Sequence, residues 1–281
     1  TGKHRPLVYV LTACVVLVSI NGMRLIETTG NIVDDLPKNH TVVNDLHWFE
    51  THFGGVVPFE IEIDTRKKRR VSQSKVLEEI EATQELFRKD PNFSKSISIV
   101  DAMKFIKQAY YNGDPERYEL ITSRERAFFS DYVDNSNADK NLLNAYVDST
   151  QRYARINLQV ADIGTIEMDS LLAKYHPRID SIFNPKRRLQ DSLLAIIGTS
   201  DDGHLVDSLS ERILKRNSSA NRVFKASLQS EGSNATVDLD SIHFAGDTGM
   251  INALSRAVDS TYLGVLITGP SITFLEGTNY L

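Results

Sequence analysis

The longest unbroken apolar run lies at the start of the chain. Leu7 to Ile20 is fourteen residues without a charge, interrupted only by Thr12, Cys14 and Ser19, and continuing it over Asn21 and Gly22 to Met23 makes seventeen. A helix needs roughly 17–25 apolar residues to cross a bilayer, so the run meets the lower limit. Lys3, His4 and Arg5 precede it and Arg24 follows. Flanking cations favour a cytoplasmic start, and an arginine stem reaches toward the far interface. The pattern predicts an N-terminal membrane helix with its cytoplasmic flank over 1–26. A cleaved signal peptide would need a small-x-small site close behind the run, which neither Ile20-Asn21-Gly22 nor Thr28-Thr29-Gly30 supplies. Burial of the run inside a fold is the competing reading.

Beyond it the pattern changes to that of a globular body. Residues 27–57 read as a connector punctuated by Gly30, Asp34-Asp35 and Pro37, with a short helix over Asp45 to Phe53. Pro58 to Thr65 alternates Phe59, Ile61 and Ile63 against Glu60, Glu62 and Asp64, a half-buried strand. Ser74 to Lys89 carries Leu77, Ile80, Gln84 and Phe87 at helical spacing, and Ser96 to Val100 reads as a second strand. Asp101 is placed to cap a helix over Met103 to Tyr111, and Tyr118 to Val147 reads as two further helical segments. Tyr153 to Ala161 alternates again, followed by a helix through Met168, Leu172, Tyr175, Ile179 and Phe183 that Pro177 should kink or split. Leu263 to Thr268 is a continuous apolar strand of the buried kind.

Between these, about 184–262, the pattern is less regular. It predicts an apolar Leu193 to Ile197, helices over Leu205 to Lys215 and Met250 to Val258, and strands over Val223 to Gln229 and Val237 to Ile242. Two βαβ units, the second interrupted by this inserted segment, imply an α+β body at 58–268 built from split βαβ units of ferredoxin-like type. Residues 269–281 then lead onward. The chain opens at Thr1 without a methionine and closes on Tyr280-Leu281, which reads as a piece of a longer polypeptide.

Composition narrows the chemistry. With 41% hydrophobic and 25% charged residues, the part after Ile26 has enough apolar material for a core. A net charge of −5 argues against a nucleic-acid partner, which would need a net basic face. The single cysteine, Cys14, lies inside the apolar run, so disulfides, cysteine-ligated zinc and a cysteine nucleophile have no residue to build on in the body.

Motifs for specific chemistry are weak. His47 and His52 stand five apart, on different helix faces, which spoils a two-histidine metal site. Asp201-Asp202-Gly203-His204 lacks the later oxygen ligands of a calcium loop and reads as a plain turn. Gly54-Gly55 and Gly277 form no phosphate-binding loop, and no G-x-S-x-G elbow is present. No catalytic, cofactor or metal residue is therefore assigned, and the expectation is a protein that is not an enzyme. Arg66 to Arg70 (RKKRR) reads first as a solvated loop between strand and helix, with anionic lipid headgroups as the alternative partner. Phe105, Tyr110, Tyr111, Phe128 and Phe129 read first as core and second as a lipid-binding cleft. Four Asn-x-Ser/Thr sequons begin at Asn39, Asn92, Asn217 and Asn234.

Three blocks of the chain resemble a known superfamily. Arg5-Pro6 before the apolar run, Asn31 to Pro37 (NIVDDLP) and His47 to Thr65 (HWFETHFGGVVPFEIEIDT) look like the start of an extracytoplasmic loop in RND-superfamily exporters of the MMPL and Patched-like kind. Tyr153 to Asn184 is similar to their second βαβ unit, and Thr268 to Leu281 (TGPSITFLEGTNYL) to their lead-in to the next membrane helix. The 184–262 segment is longer than that pattern. The resemblance implies a periplasmic porter domain at the cell inner membrane that exports a hydrophobic or lipid-like substrate. Its partners would be the bilayer, the remainder of the transporter and further copies of itself. The proton-relay carboxylates would lie in membrane helices outside this chain. The alternative is a single-pass anchored sensor or ligand-binding module.

Overall fold

The computed structural model describes residues 5–24, 41–122, 124–125, 144–230, 242–270 and 272–273. They form a mixed α+β protein built on one four-stranded antiparallel sheet. The first helix, α1, runs Arg5–Arg24, and a second, α2, runs Thr41–Phe53. Strand β1 is Val57–Asp64, helix α3 Ser74–Arg88, strand β2 Ile97–Ser98 and helix α4 Ile99–Tyr110. Strand β3 is Tyr153–Val160 and helix α5 Thr165–Phe183. Four helices follow, α6 Arg187–Thr199, α7 Gly203–Arg216, α8 Ser218–Ser230 and α9 Thr248–Asp259, before β4, Gly264–Thr268.

The strands stand in the order β2-β3-β1-β4, every neighbour antiparallel. Their alternation decides which face is dry. Phe59, Ile61 and Ile63 of β1 and Ala154, Ile156, Leu158 and Val160 of β3 are buried with α3 and α5 in one core, which Phe59, Phe87, Phe93 and Tyr175 join by edge and stacked ring contacts. The 184–262 segment has a separate core of its own, centred on Phe224, Phe244, Leu254 and Val258. Its two leads to the sheet are tied by Asn184. The Asn184 carboxamide accepts from the Leu263 N–H at 2.9 Å and donates to the Leu263 carbonyl at 3.0 Å. Asn184→Ala leaves both buried backbone groups unpaired, and a loss of about 1–3 kcal/mol is expected in a urea melt.

Several expectations are corrected. The segment Ser96 to Val100 is strand only at Ile97–Ser98, because Ser98 and Asp101 form a reciprocal capping box that starts α4 at Ile99. Val223 to Gln229 is not a strand but part of α8: Ala220 and Phe224, one turn apart, are both fully buried, so the helical period prevails over the local alternation. Pro177 neither splits nor ends α5. It sits on the exposed side, as does Ala173, whose carbonyl loses the bond that Pro177 cannot donate and can turn to water. The expected strand over Val237 to Ile242, most of the helices expected over Tyr118 to Val147, and the final lead-in helix fall largely outside the described residues.

One end of the sheet gathers the leads of the body. α2 reaches β1 through Gly54-Gly55, and the Glu50 carboxylate accepts from the Asp162 N–H at 3.0 Å, just past the end of β3. Thr268, near the end of β4, pairs with Glu60, and Gly269 passes against the Pro58 carbonyl. The chain therefore arrives at and leaves from the same end. The cationic loop and the helical insert occupy the opposite end, where β1 stops at Asp64 and β4 begins at Gly264. Eight residues of β1 separate the two ends by about 26 Å at strand rise.

Candidate functional site

Two surfaces stand out, one apolar and one polar. The apolar one belongs to α1 and α2. In α1 every described side chain from Leu7 to Gly22 is exposed, with Tyr9 at 73% and Val18 at 72%. Thr12 and Asn21 turn their polar groups back onto the carbonyls of Val8 and Leu17, so they add no outward polarity. Twenty residues of helix backbone rise about 30 Å. Among the described residues no helix is long and apolar enough to cross a membrane.

α2 divides by face. Val43 is buried and Glu50 bonds the body at Asp162, whereas Trp48, Phe49 and Phe53 stay about half exposed. The three rings contact one another, and His52 stacks on Trp48 at 4.3 Å while its Nδ1 meets the Trp48 carbonyl. His47 pairs with Glu50 at 3.5 Å. The two histidines thus serve separate local contacts, as their spacing implies.

The polar surface is a cavity of about 370 Å³ on the hydrophilic face of the sheet. The alternation that buries Ile61 and Ile63 aims Glu60, Glu62 and Asp64 to this side, with Tyr153, Arg155 and Asn157 across from them in register. Tyr146 and Val147 extend the outer edge of β3 through the Arg155 N–H to Tyr146 carbonyl bond, and close the cavity with Asp148. Arg155 leans to Glu60 at 3.7 Å rather than to Glu62 directly opposite. Asn157 keeps a buried side-chain oxygen with no hydrogen-bond partner. The cavity offers the Glu62 carboxylate, the Arg155 guanidinium and the Tyr146 and Tyr153 rings, a set suited to holding a polar or charged headgroup.

Asp148 does not belong to that chemistry. Burial alone would raise its pKa, but hydrogen bonds from Thr150 and from the Tyr153, Thr150 and Arg152 N–H groups overcome it and hold the carboxyl below its ordinary range. Asp148 therefore fixes the turn that brings Arg152 onto Asp64, a two-pronged pair at 2.7 Å on both contacts.

The remaining sequence candidates fall elsewhere. Asp202 is the N-cap of α7, its carboxylate accepting from the His204 and Leu205 N–H groups, so the Asp201 to His204 stretch is a helix start. Arg66 to Arg70 is an exposed loop, but a fixed one. Arg69 and Val71 N–H groups bond the Thr150 and Gln151 carbonyls, Arg66 Nε bonds the Tyr262 carbonyl, and Arg66 and Arg69 take left-handed backbone. Phe105 and Tyr110 are exposed rather than core, and Tyr111 stacks under Arg117; Phe128 and Phe129 lie outside the described residues. Among the described residues no group of three His, Cys, Asp or Glu could hold a metal ion.

Two charged clusters, one of them around a buried lysine, carry no sequence signal. Lys107, almost wholly buried, bonds Glu119 and Glu125 at 2.9 Å each; a lone lysine within an amphipathic helix gives no signal of this. Asp90 is the other. Burial pushes its pKa up, but the Tyr175 hydroxyl at 2.6 Å, Lys174 at 2.9 Å and the Asn92 N–H prevail and bring it down to about 2. A carboxyl with a lowered folded-state pKa stabilises above its unfolded value and loses that contribution as pH falls toward the folded one. Acid unfolding should draw on Asp90 between pH of about 4 and about 2. Tyr175→Phe should shift that loss to higher pH, at a cost of about 1 kcal/mol near neutrality; the check is the midpoint of an acid titration followed by circular dichroism.

These features define the class: an α+β protein on a four-stranded antiparallel sheet, with a helical insert and an exposed apolar leading helix. Comparison with family models, curated proteins and solved structures finds no match for the chain.

Proposed function

We propose that this chain is the extracytoplasmic porter domain of a proton-driven exporter of the RND superfamily, MMPL or Patched-like, carried on α1 at the cell inner membrane. In this reading it is not an enzyme. It binds a hydrophobic or lipid-like molecule and passes it outward as subdomains shift around the site. The observation that carries the reading is α1: sixteen consecutive exposed side chains, mostly apolar, have no stable place in water, and a bilayer removes them at about 25 cal/mol per Å². Two features of the body agree with it. The strand order β2-β3-β1-β4 is the one two interlocked split βαβ units would give, which supports the ferredoxin-like reading. The leads at one end of the sheet suit a body slung between two membrane spans better than a single-pass sensor.

The same orientation sends the Arg66 to Arg70 loop to the far end. At about 26 Å from α2 along β1, it stands beyond the Debye length of about 10 Å, so headgroup attraction is not its role here. The polar cavity would take a lipid headgroup, with Glu62 and Arg155 as its charged walls.

The test has two parts. Membranes expressing the chain should retain it through an alkaline carbonate wash, with the body open to protease from the outer side. The reading frame beyond Leu281 should carry a second apolar span of about 20 residues. Release by carbonate removes the membrane reading, and a frame without a second span removes the exporter.

A further inference from the structure

We infer that the outward face of α2 lies in the interfacial layer of the bilayer, so that the body rests on the membrane through Trp48, Phe49 and Phe53 as well as hanging from α1. The inference rests on the membrane reading of α1 and adds a second contact to it. In the sheet core Phe59, Phe87 and Phe93 are buried, yet the three α2 rings, packed on one another within one turn and a half, are 53%, 49% and 55% exposed. The Glu50 carboxylate ties their helix to the Asp162 N–H and Val43 is buried, while the three rings stay in the open.

What covers that face follows from where it is. α2 sits at the end of the sheet where the body's leads gather, and only residues 25–40 separate it from the exposed apolar run of α1. Tryptophan and other aromatic rings concentrate at the headgroup level of membranes, where a ring can be half wet and half dry. A second copy of the chain is a poorer occupant. Three half-exposed rings offer about 300 Å² on the scale of 150–250 Å² per buried aromatic, well under the roughly 800 Å² per partner of a stable interface. Charge also selects the lipid. The acidic groups of α2, Asp45 and Glu50, and the absence of Lys or Arg from the helix give no attraction to an anionic surface, so the docking is apolar and suits a zwitterionic bilayer.

The chain carries its own reporters, since Trp48 is its only tryptophan and Cys14 its only cysteine. The full chain is reconstituted into phosphatidylcholine vesicles with bromine placed either near the headgroup or near the end of the acyl chain. Trp48 emission should move to the blue and be quenched severalfold more by the shallow bromine than by the deep one, with little change on adding salt. Phe49→Ser with Phe53→Ser keeps the reporter and α1, and should return Trp48 to the emission of a ring in water.

Cys14 separates this inference from the reading beneath it. A membrane-impermeant maleimide that spares Cys14 while Trp48 escapes quenching leaves the span intact and overturns the α2 contact. A maleimide that labels Cys14 while Trp48 escapes quenching overturns both. Labelled Cys14 with quenched Trp48 keeps the α2 contact and removes the span. Blue emission that bromine does not touch, and that fades on dilution, assigns the face to a second copy and overturns the inference.

Discussion

Phe87→Ala should cost the sheet body about 3–5 kcal/mol, the usual range for emptying a buried aromatic site. Phe87 has no exposed surface and touches three rings, with centroids 5.9 Å away in Phe59, 4.8 Å in Phe93 and 4.8 Å in Tyr175. It belongs to α3, Phe59 to β1 and Tyr175 to α5, so its removal loosens the contact between both helices and the sheet at once. The site cannot collapse easily, because its neighbours are held from outside by β1 pairing and by the Tyr175 to Asp90 hydrogen bond. Against a total stability of about 5–15 kcal/mol, that is a large share of the folded margin. The measurement is a urea melt in mild detergent. Phe224→Ala serves as comparison, since Phe224 is equally buried but in the separate core of the insert. The two losses should add, as they do for distant sites. A loss below about 1 kcal/mol for Phe87→Ala would contradict the packing described.

Gly55→Ala should be among the most damaging single-methyl additions in the described chain, alongside Gly269→Ala, whose Cβ would meet the Pro58 carbonyl. Gly55 has a φ of +153°, and an added Cβ would lie 2.7 Å from both the carbonyl carbon and the oxygen of Val160. Those are backbone atoms of the adjoining strand, so nothing can rotate away. The strained dihedral alone costs about 1–3 kcal/mol, and relieving the clash would pull α2 and the start of β1 off the end of β3. Gly113→Ala isolates the dihedral part, because Gly113 has a φ of +83° with nothing within 4 Å of its added Cβ. Gly55→Ala should lower the melting midpoint clearly more than Gly113→Ala does. Equal effects would mean that the crossing over Val160 is not close.

The sequence made the outline of the sheet readable because three strands announce themselves in different ways. β1 and β3 alternate residue by residue, since one face is dry and the other polar; β4 is apolar in sequence but, as an edge strand, buries only Ile267 and leaves Leu266 58% exposed, so the expected fully buried strand is corrected. Their observed ranges differ from expectation by a residue or so. β2 is shorter than its pattern suggests because a two-residue strand has no period to detect, and Ser98 can serve as strand residue or helix cap until its partner Asp101 is known. The insert was read least well. Val223 to Gln229 shows local alternation, but the side chains that bury it against α9 lie thirty residues on, beyond the reach of any local pattern.

The site was legible only in part. α1 is a matter of composition and could be seen at once. The aromatic face of α2 could not, because Phe49 and Phe53 at helical spacing look like core, yet both are about half exposed while Glu50 makes the bond to the body. The polar cavity brings Glu62 and Arg155 together across β1 and β3, a contact between residues some ninety positions apart that depends on strand register. The same holds for the Lys107 and Asp90 clusters, whose partners come from other segments.

The Asn184 tie implies modularity. Because the Asn184 carboxamide grips both backbone groups of Leu263 at about 3 Å, the residues bounding the 79-position gap are already neighbours in space. A short glycine-serine bridge could replace everything between them without moving α5 or β4, since shortening such a closure changes chain entropy only slowly with length. The helical segment is therefore a cassette, positioned to be deleted, enlarged or exchanged for another while the sheet beneath it keeps its shape.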